Sequence, residues 1–264
     1  WLLGQGTIYP DHIETGGSEH ASKIKTHHNR VPEIEQMIAE GRIVEPLADF
    51  YKDEVRDIGR SLGLPEAMVG RHPFPGPGLG VRILCQQDAY PLSRAEEICD
   101  RIQSEFALHA RVLPVRSVGV QGDARSYRHP VAVFTDKPVD DLMAAANKIP
   151  NAYPDINRVL VSLSHQEHIK EVFPKAPVSI TADRVALLQE ADARIRRLLD
   201  EHDLYHKVWQ FPVILLPVGV TPDTESIILR PIQSENAMTA TAVVFPAAVL
   251  QAMAAELMDL DDVS

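Results

Sequence analysis

The chain has 264 residues, 45% of them hydrophobic and 24% charged, with a formal net charge of -11. These values suit a soluble globular protein with room for two domains of about 150 residues each. The acidic balance excludes a broad, sequence-independent nucleic-acid footprint, which needs a basic face to displace phosphate counterions, but it allows a small anion in a local basic pocket. The opening, WLLGQGTIYP, has no initiator Met, no basic n-region and no small-residue cleavage site, so the chain reads as cut at its start. Residues 9–18 and 23–30 read as polar loops. An amphipathic helix is predicted over Val31 to Gly41, with Ile34, Met37 and Ile38 set among Glu33, Glu35 and Glu40. A second is predicted over Pro46 to Leu62, where Leu47, Phe50, Tyr51, Val55, Ile58 and Leu62 recur at three- and four-residue spacing. Together these read as the last part of an α/β domain over residues 1–70.

Residues 71–80, RHPFPGPGLG, alternate three prolines with three glycines. Proline fixes φ and removes a donor while glycine adds freedom, so neither helix nor central strand is expected, and residues 71–90 read as an ordered connector. Gly76, Gly78 and Gly80 do not form a dinucleotide fingerprint, which needs an apolar strand before it and a helix opening within it. A helix then follows on Ala95, Ile98, Cys99, Ile102 and Phe106, with Ser93 and Glu96 spaced as a capping box. Strands are predicted over Val112 to Gln121, His129 to Thr135 and Ile156 to Leu163, with a helix opened by Pro138 before the last of them. The order then recurs. Thr181 caps a helix, strands run over Val213 to Val220, Ile227 to Gln233 and Thr239 to Phe245, and Pro246 opens a helix as Pro138 did. No last strand is expected after Asp262. The chain after the connector therefore reads as two repeated α+β modules, residues 91–175 and 176–264, each a small sheet with helices that needs a covering partner.

Cys85 and Cys99 are the only cysteines, at neither C-x-x-C nor zinc-ligand spacing, so no disulfide framework or metal site is predicted and a reducing cytoplasm is the default. The longest apolar run, Phe211 to Val220, is broken by Pro212 and Pro217 and falls far short of the roughly 20 residues of a membrane span.

Several polar groups can carry chemistry, each with a plainer alternative. In IKTHHN, Lys25 suits a phosphate and His27 and His28 can donate near neutral pH, although an exposed polar loop has the same composition. Asp11 and Glu14, with Lys52 and Asp53, offer carboxylates for Mg²⁺ and cations for phosphoryl oxygens, yet a charged helix face is ordinarily just solvated. In GVQGDARSY, Arg125 can grip a phosphate through its fork and Asp123 can accept from ribose hydroxyls, where a turn with a surface ion pair is the plain alternative. Gln210, just before an apolar strand, is a weaker candidate.

GQGTIYPDHIE, IKTHHN, EPLADFYKDEVRDIGRSLGLP, RHPFPGPGLGVRIL, VGVQGDARSY, QFPVILLP and SIILRPI, in this order, resemble signatures of the GMP synthetase family across nearly the whole chain. The form most similar has a duplicated dimerisation module. The resemblance implies an end portion of the ATP-pyrophosphatase domain with its lid (residues 1–70), the connector and two dimerisation modules, acting on XMP with ATP, Mg²⁺ and ammonia from a glutaminase domain or subunit. It implies that Lys25, His27 and His28 belong to a mobile lid, that Asp11, Glu14, Lys52 and Asp53 lie near the reacting centre with Mg²⁺ reachable from Asp11 and Asp53, and that Asp123, Arg125 and Gln210 contact XMP. A homodimer is compatible with it. Departures are also visible: no SGGVDS phosphate loop, no glutaminase residues and no KPP tail lie in the sequence, and ETGG stands before the lid where the family has ES and small residues. An isolated chain without turnover is therefore expected, with a non-catalytic nucleotide-binding or oligomerisation protein as the rival.

Overall fold

A computed structural model describes residues 1–13, 32–73, 78–121, 124–164, 169–234 and 241–264, a mixed α+β protein that divides into two units, Trp1–Arg71 and His72–Ser264. In the first unit β1 (Leu3–Gly4) pairs in parallel with β2 (Ile43–Val44), an arrangement that requires a crossover between them. That crossover includes α1 (Tyr9–Ile13) and α2 (Pro32–Ala39). The helix α1 replaces part of the polar loop expected from residue 9. Asp11 explains it, since its Oδ2 accepts the backbone N–H of Ile8 at 3.0 Å and satisfies a donor at the helix start.

The helix expected from Pro46 begins later, as α3 (Lys52–Ser61), followed by the short α4 (Glu66–Val69). Residues 47–50 turn instead, with Phe50 N–H bonded to Leu47 O at 3.1 Å, and the helix starts where Glu54 accepts the Tyr51 N–H at 2.7 Å. The apolar spacing was right, but a local side-chain acceptor decided the boundary.

The second unit contains α5 (Ala95–Phe106), β3 (His109–Val112), β4 (Ser117–Gln121), β5 (Ala124–Phe134), α6 (Val139–Ala152) and β6 (Ile156–Val161). The capping box expected at Ser93 does not form. Arg94 occupies the cap without a side-chain bond, and its guanidinium holds Glu97 at 2.9 Å and 3.0 Å. The single strand expected over residues 112–121 is split at Pro114, which cannot donate to a ladder. In the resulting sheet β5 is antiparallel to β3 and β4 and parallel to β6. Ile102 and Ile156, with no measurable exposure, seal the core between this sheet and its helices, each contributing about 1.5–3 kcal/mol through burial.

The remaining elements are β7 (Phe173–Pro174), α7 (Ala182–Glu201), β8 (Val213–Leu216), β9 (Val218–Gly219), β10 (Ser226–Leu229), β11 (Ile232–Gln233), β12 (Thr241–Ala242) and α8 (Ala247–Met258). Thr181 caps α7 as expected, its hydroxyl accepting from Arg184 N at 3.3 Å. Pro217 and Pro231 break the longer strands expected there for the same reason as Pro114. Two features differ from the sequence reading. Residues of the connector pair with later segments: Ile83 bridges Leu215 of β8 in parallel, with Leu84 N bonded to Leu215 O at 3.0 Å, and Gln86 bridges Val178. The position of the strand thought missing after Asp262 is also taken, because Val263 bridges Glu225 in parallel.

Of the later strands, β8 pairs antiparallel with β10, β7 with β9 and β11 with β12. The β3–β6 sheet and the β8–β10 pair meet on a cluster of Leu113, Val115, Leu216 and Val218, with Leu160 and Ile228 packed against it.

Candidate functional site

Of the residues singled out in the sequence, Glu14, Lys25, His27, His28 and Asp123 lie outside the described residues. In the first unit, Tyr9 N donates to Phe50 O at 3.0 Å and the rings of Tyr9 and Tyr51 meet edge to face at 5.1 Å. The starts of α1 and α3 are thereby joined, which brings the segments bearing Asp11, Lys52 and Asp53 together. Lys52 is half-buried, and burial pulls its ammonium pKa below the ordinary value; Arg56 adds to this and Asp53 partly offsets it. Asp53 is exposed and lies 3.5 Å from Arg56, which also donates to Arg71 O at 3.3 Å.

As a magnesium site this donor set is thin. One oxygen of Asp11 is already engaged, and no group of three or more His, Cys, Asp or Glu suited to a metal occurs among the described residues. Two carboxylates do match the number Mg²⁺ takes when phosphate and water complete its shell.

In the second unit, β4 and β5 form the hairpin that carries Arg125, which stands in register opposite Val120. Gln210 bridges Ile232 through its backbone, and its side-chain Nε2 donates to Pro73 O at 2.9 Å. The amide therefore anchors the start of the connector. His72 completes the anchor: its ring stacks on Tyr205 at 3.8 Å, Nε2 lies 2.7 Å from Tyr205 O, and its N–H donates to the Tyr205 hydroxyl at 3.1 Å. Arg196 covers the Tyr205 ring at 3.4 Å. Burial holds the His72 pKa below its ordinary value, and the neighbouring Arg196 and His206 push the same way against hydrogen bonds that raise it.

The sequence reading missed a buried ion pair. Arg184 and Glu225, 7% and 1% exposed, meet at 2.7 Å, and Lys175 reaches the same carboxylate at 3.5 Å. They line a cleft of about 590 Å³ with Thr181, Ser179 and Asp262. Arg184 also donates to Ser179 O and Leu84 O, both at 2.8 Å, so its donors are already spent on the protein. Nothing local in the sequence signals this pair, because a charge flanking a strand is ordinary and its burial depends on partners 41 residues apart.

Comparison with known proteins agrees along the chain. Residues 197–263 match the GMP synthase C terminal domain. The chain is 42% identical over 265 residues to the probable GMP synthase [glutamine-hydrolyzing] of Leptospira interrogans serogroup Icterohaemorrhagiae serovar copenhageni, a match covering 100% of this chain and 44% of that protein. This chain belongs to the GMP synthase family. A probable GMP synthase of Caenorhabditis elegans is 33% identical over 92% of this chain and 42% of its own length. The GMP synthase of Corynebacterium glutamicum (strain ATCC 13032) is 40% identical over 62% of this chain and 35% of its own length. The chain thus spans less than half the length of these GMP synthases. Among its described residues no helix is long and apolar enough to cross a membrane.

Proposed function

We propose that this chain carries the XMP-binding portion of a GMP synthase, a ligase of purine biosynthesis that aminates XMP to GMP. The observation that carries the reading is the match along the whole of this chain, at 42% identity, to 44% of a protein named for that activity. In the proposed reaction ATP adenylylates O2 of XMP with loss of pyrophosphate, and ammonia from a glutaminase domain or subunit displaces AMP. Asp123 and Arg125 hold the nucleotide, the guanidinium fork matching phosphate oxygens. Gln210 contributes through the carbonyl of an amide whose NH₂ is engaged by Pro73. Lys25, His27 and His28 act from the lid. Asp11 and Asp53 would hold Mg²⁺, which would neutralise charge on the pyrophosphate oxygens, with Lys52 adding a cation and Glu14 lying near the same centre.

We also read residues 91–175 and 176–264 as a duplicated dimerisation module, preceded by the end of an ATP-pyrophosphatase domain. Two observations support duplication. His129 N donates to Asp155 O at 3.0 Å and Glu225 N to Asp262 O at 2.8 Å, each ahead of a helix that follows a proline, α6 after Pro138 and α8 after Pro246. The relatives reported above also differ in reach, 92% or more of the chain for those of Leptospira and Caenorhabditis and 62% for that of Corynebacterium. Duplication lets one copy cover the sheet surface that a single copy presents to another subunit, and a homodimer remains open to the chain.

The test is XMP binding by calorimetry with Arg125→Ala. Loss of a charged hydrogen-bond pair is expected to weaken XMP about ten-fold or more. Unchanged affinity removes Arg125 from the site.

A further inference from the structure

Two arginines that none of these assignments uses stand at the seam where the β3–β6 sheet meets the β8–β10 pair. Residues two apart on a strand share a face, so Arg158 lies on the face of β6 that also carries Leu160. Arg230 follows β10 directly, its N still bonded to Pro212 O at 3.1 Å, and shares a face with Ile228. Leu160 and Ile228 both pack on the apolar cluster where the sheets meet. The two guanidinium groups therefore extend from one seam, one from each sheet.

Neither is neutralised by the described residues. Arg158 donates Nη2 to Val118 O at 2.7 Å, but its Nε is buried without a hydrogen-bond partner. Arg230 remains exposed and makes no side-chain hydrogen bond or ion pair with a described residue. Burial lowers the pKa of Arg158, and the nearby charge of Arg230 pushes it the same way. Two like charges brought together under partial desolvation are unfavourable, and a chain with a net charge of -11 has carboxylates enough to quench them. The arrangement becomes favourable when an oxyanion occupies the gap, because guanidinium forks pair with phosphate oxygens in two parallel bonds.

We propose that Arg158 and Arg230 form a cradle for a phosphate group at the seam. Its neighbours narrow the source. Val118, held by Arg158, lies two residues from Val120, the partner of Arg125. Pro212, opposite Arg230, lies two residues from Gln210. The cradle thus adjoins both segments assigned above to XMP, and the phosphate comes either from a nucleotide or from free phosphate or pyrophosphate. For the nucleotide the inference rests on the proposed function; for the free anion it stands alone.

The experiment is calorimetric titration of the full chain at low ionic strength with inorganic phosphate, pyrophosphate, XMP and xanthosine, for the wild type, Arg230→Met and Arg158→Gln. Thermal melts confirm that each variant is folded. Arg230→Met is the decisive variant, because its guanidinium holds no described part of the fold. Binding of a phosphate-bearing probe that drops about ten-fold or more in Arg230→Met supports the cradle. Competition between free phosphate and XMP assigns the nucleotide as its source; phosphate binding without competition assigns the free anion. Absence of binding by phosphate, pyrophosphate and XMP, or equal binding by wild type and Arg230→Met, overturns it. XMP binding that falls in Arg125→Ala but not in Arg230→Met keeps the proposed function and removes the cradle, while phosphate binding lost in Arg230→Met with no XMP binding does the reverse.

Discussion

His129 and Glu225 hold matching backbone positions in the two halves of the larger unit, yet their side chains are satisfied in different ways. Both are buried, and both donate their N–H to an aspartate carbonyl at the start of a parallel pairing. His129 needs a single acceptor, the Leu113 carbonyl, 3.1 Å from Nδ1. Glu225 brings a charge into the interior and requires Arg184, with Lys175 behind it. The pairing pattern can be shared between halves while the polar network cannot, because a buried carboxylate demands a counter-charge and an imidazole does not.

The largest expected effect tests that contrast. Arg184→Met strands the Glu225 carboxylate and is expected to cost about 3–5 kcal/mol, measured by denaturant unfolding. Adding Glu225→Leu removes the stranded charge and should recover most of the loss. A cost below about 1 kcal/mol for the single variant would mean that Lys175 and solvent already compensate the carboxylate.

A second comparison concerns two glycines. A Cβ at Gly219 would overlap the Thr224 side chain and lie 2.8 Å from the Thr224 carbonyl oxygen, which is backbone and cannot swing aside. At Gly119 the nearest atoms are side-chain atoms of Asn157 and Ser126, at 3.0 Å. Gly219→Ala is therefore expected to destabilise by about 1–3 kcal/mol and Gly119→Ala by less. Equal melting temperatures for the two variants would break the distinction.

The smallest effect belongs to the connector. The pKa of His72 is lowered in the docked state, so the contribution of docking is fully present above the ordinary value of 6.5 and is lost as pH falls through the lowered one. Arg196, itself held by Asp200 at 2.9 Å, and His206 face the ring and oppose its protonation. Limited proteolysis across the connector should accelerate below that pH in the wild type and lose its pH dependence in His72→Gln. A rate independent of pH in the wild type removes the linkage.

Much of this was legible in advance where the signal is local. The α2, α6, α7 and α8 helices follow from apolar spacing, and the Thr181 cap and the helices after Pro138 and Pro246 from residue type at the helix start. Boundaries failed where a side chain not weighed in the sequence intervened, as with Glu54 at the start of α3 and Arg94 at that of α5. The candidate site was legible only in part. GVQGDARSY marked the hairpin, but Gln210 as the anchor of Pro73, and Arg158 and Arg230 as neighbours, depend on registers that no short window contains.

By itself the sequence determined composition class, helix phase and the family, because each is carried by neighbouring residues or by an ordered set of short motifs. Tertiary structure alone decided that Leu84 joins Leu215, that Val263 joins Glu225, that Arg184 is spent on the interior and that Arg158 and Arg230 share a seam. Those outcomes depend on which distant segments exclude water from one another, and a charged side chain acquires its role only once that burial is set.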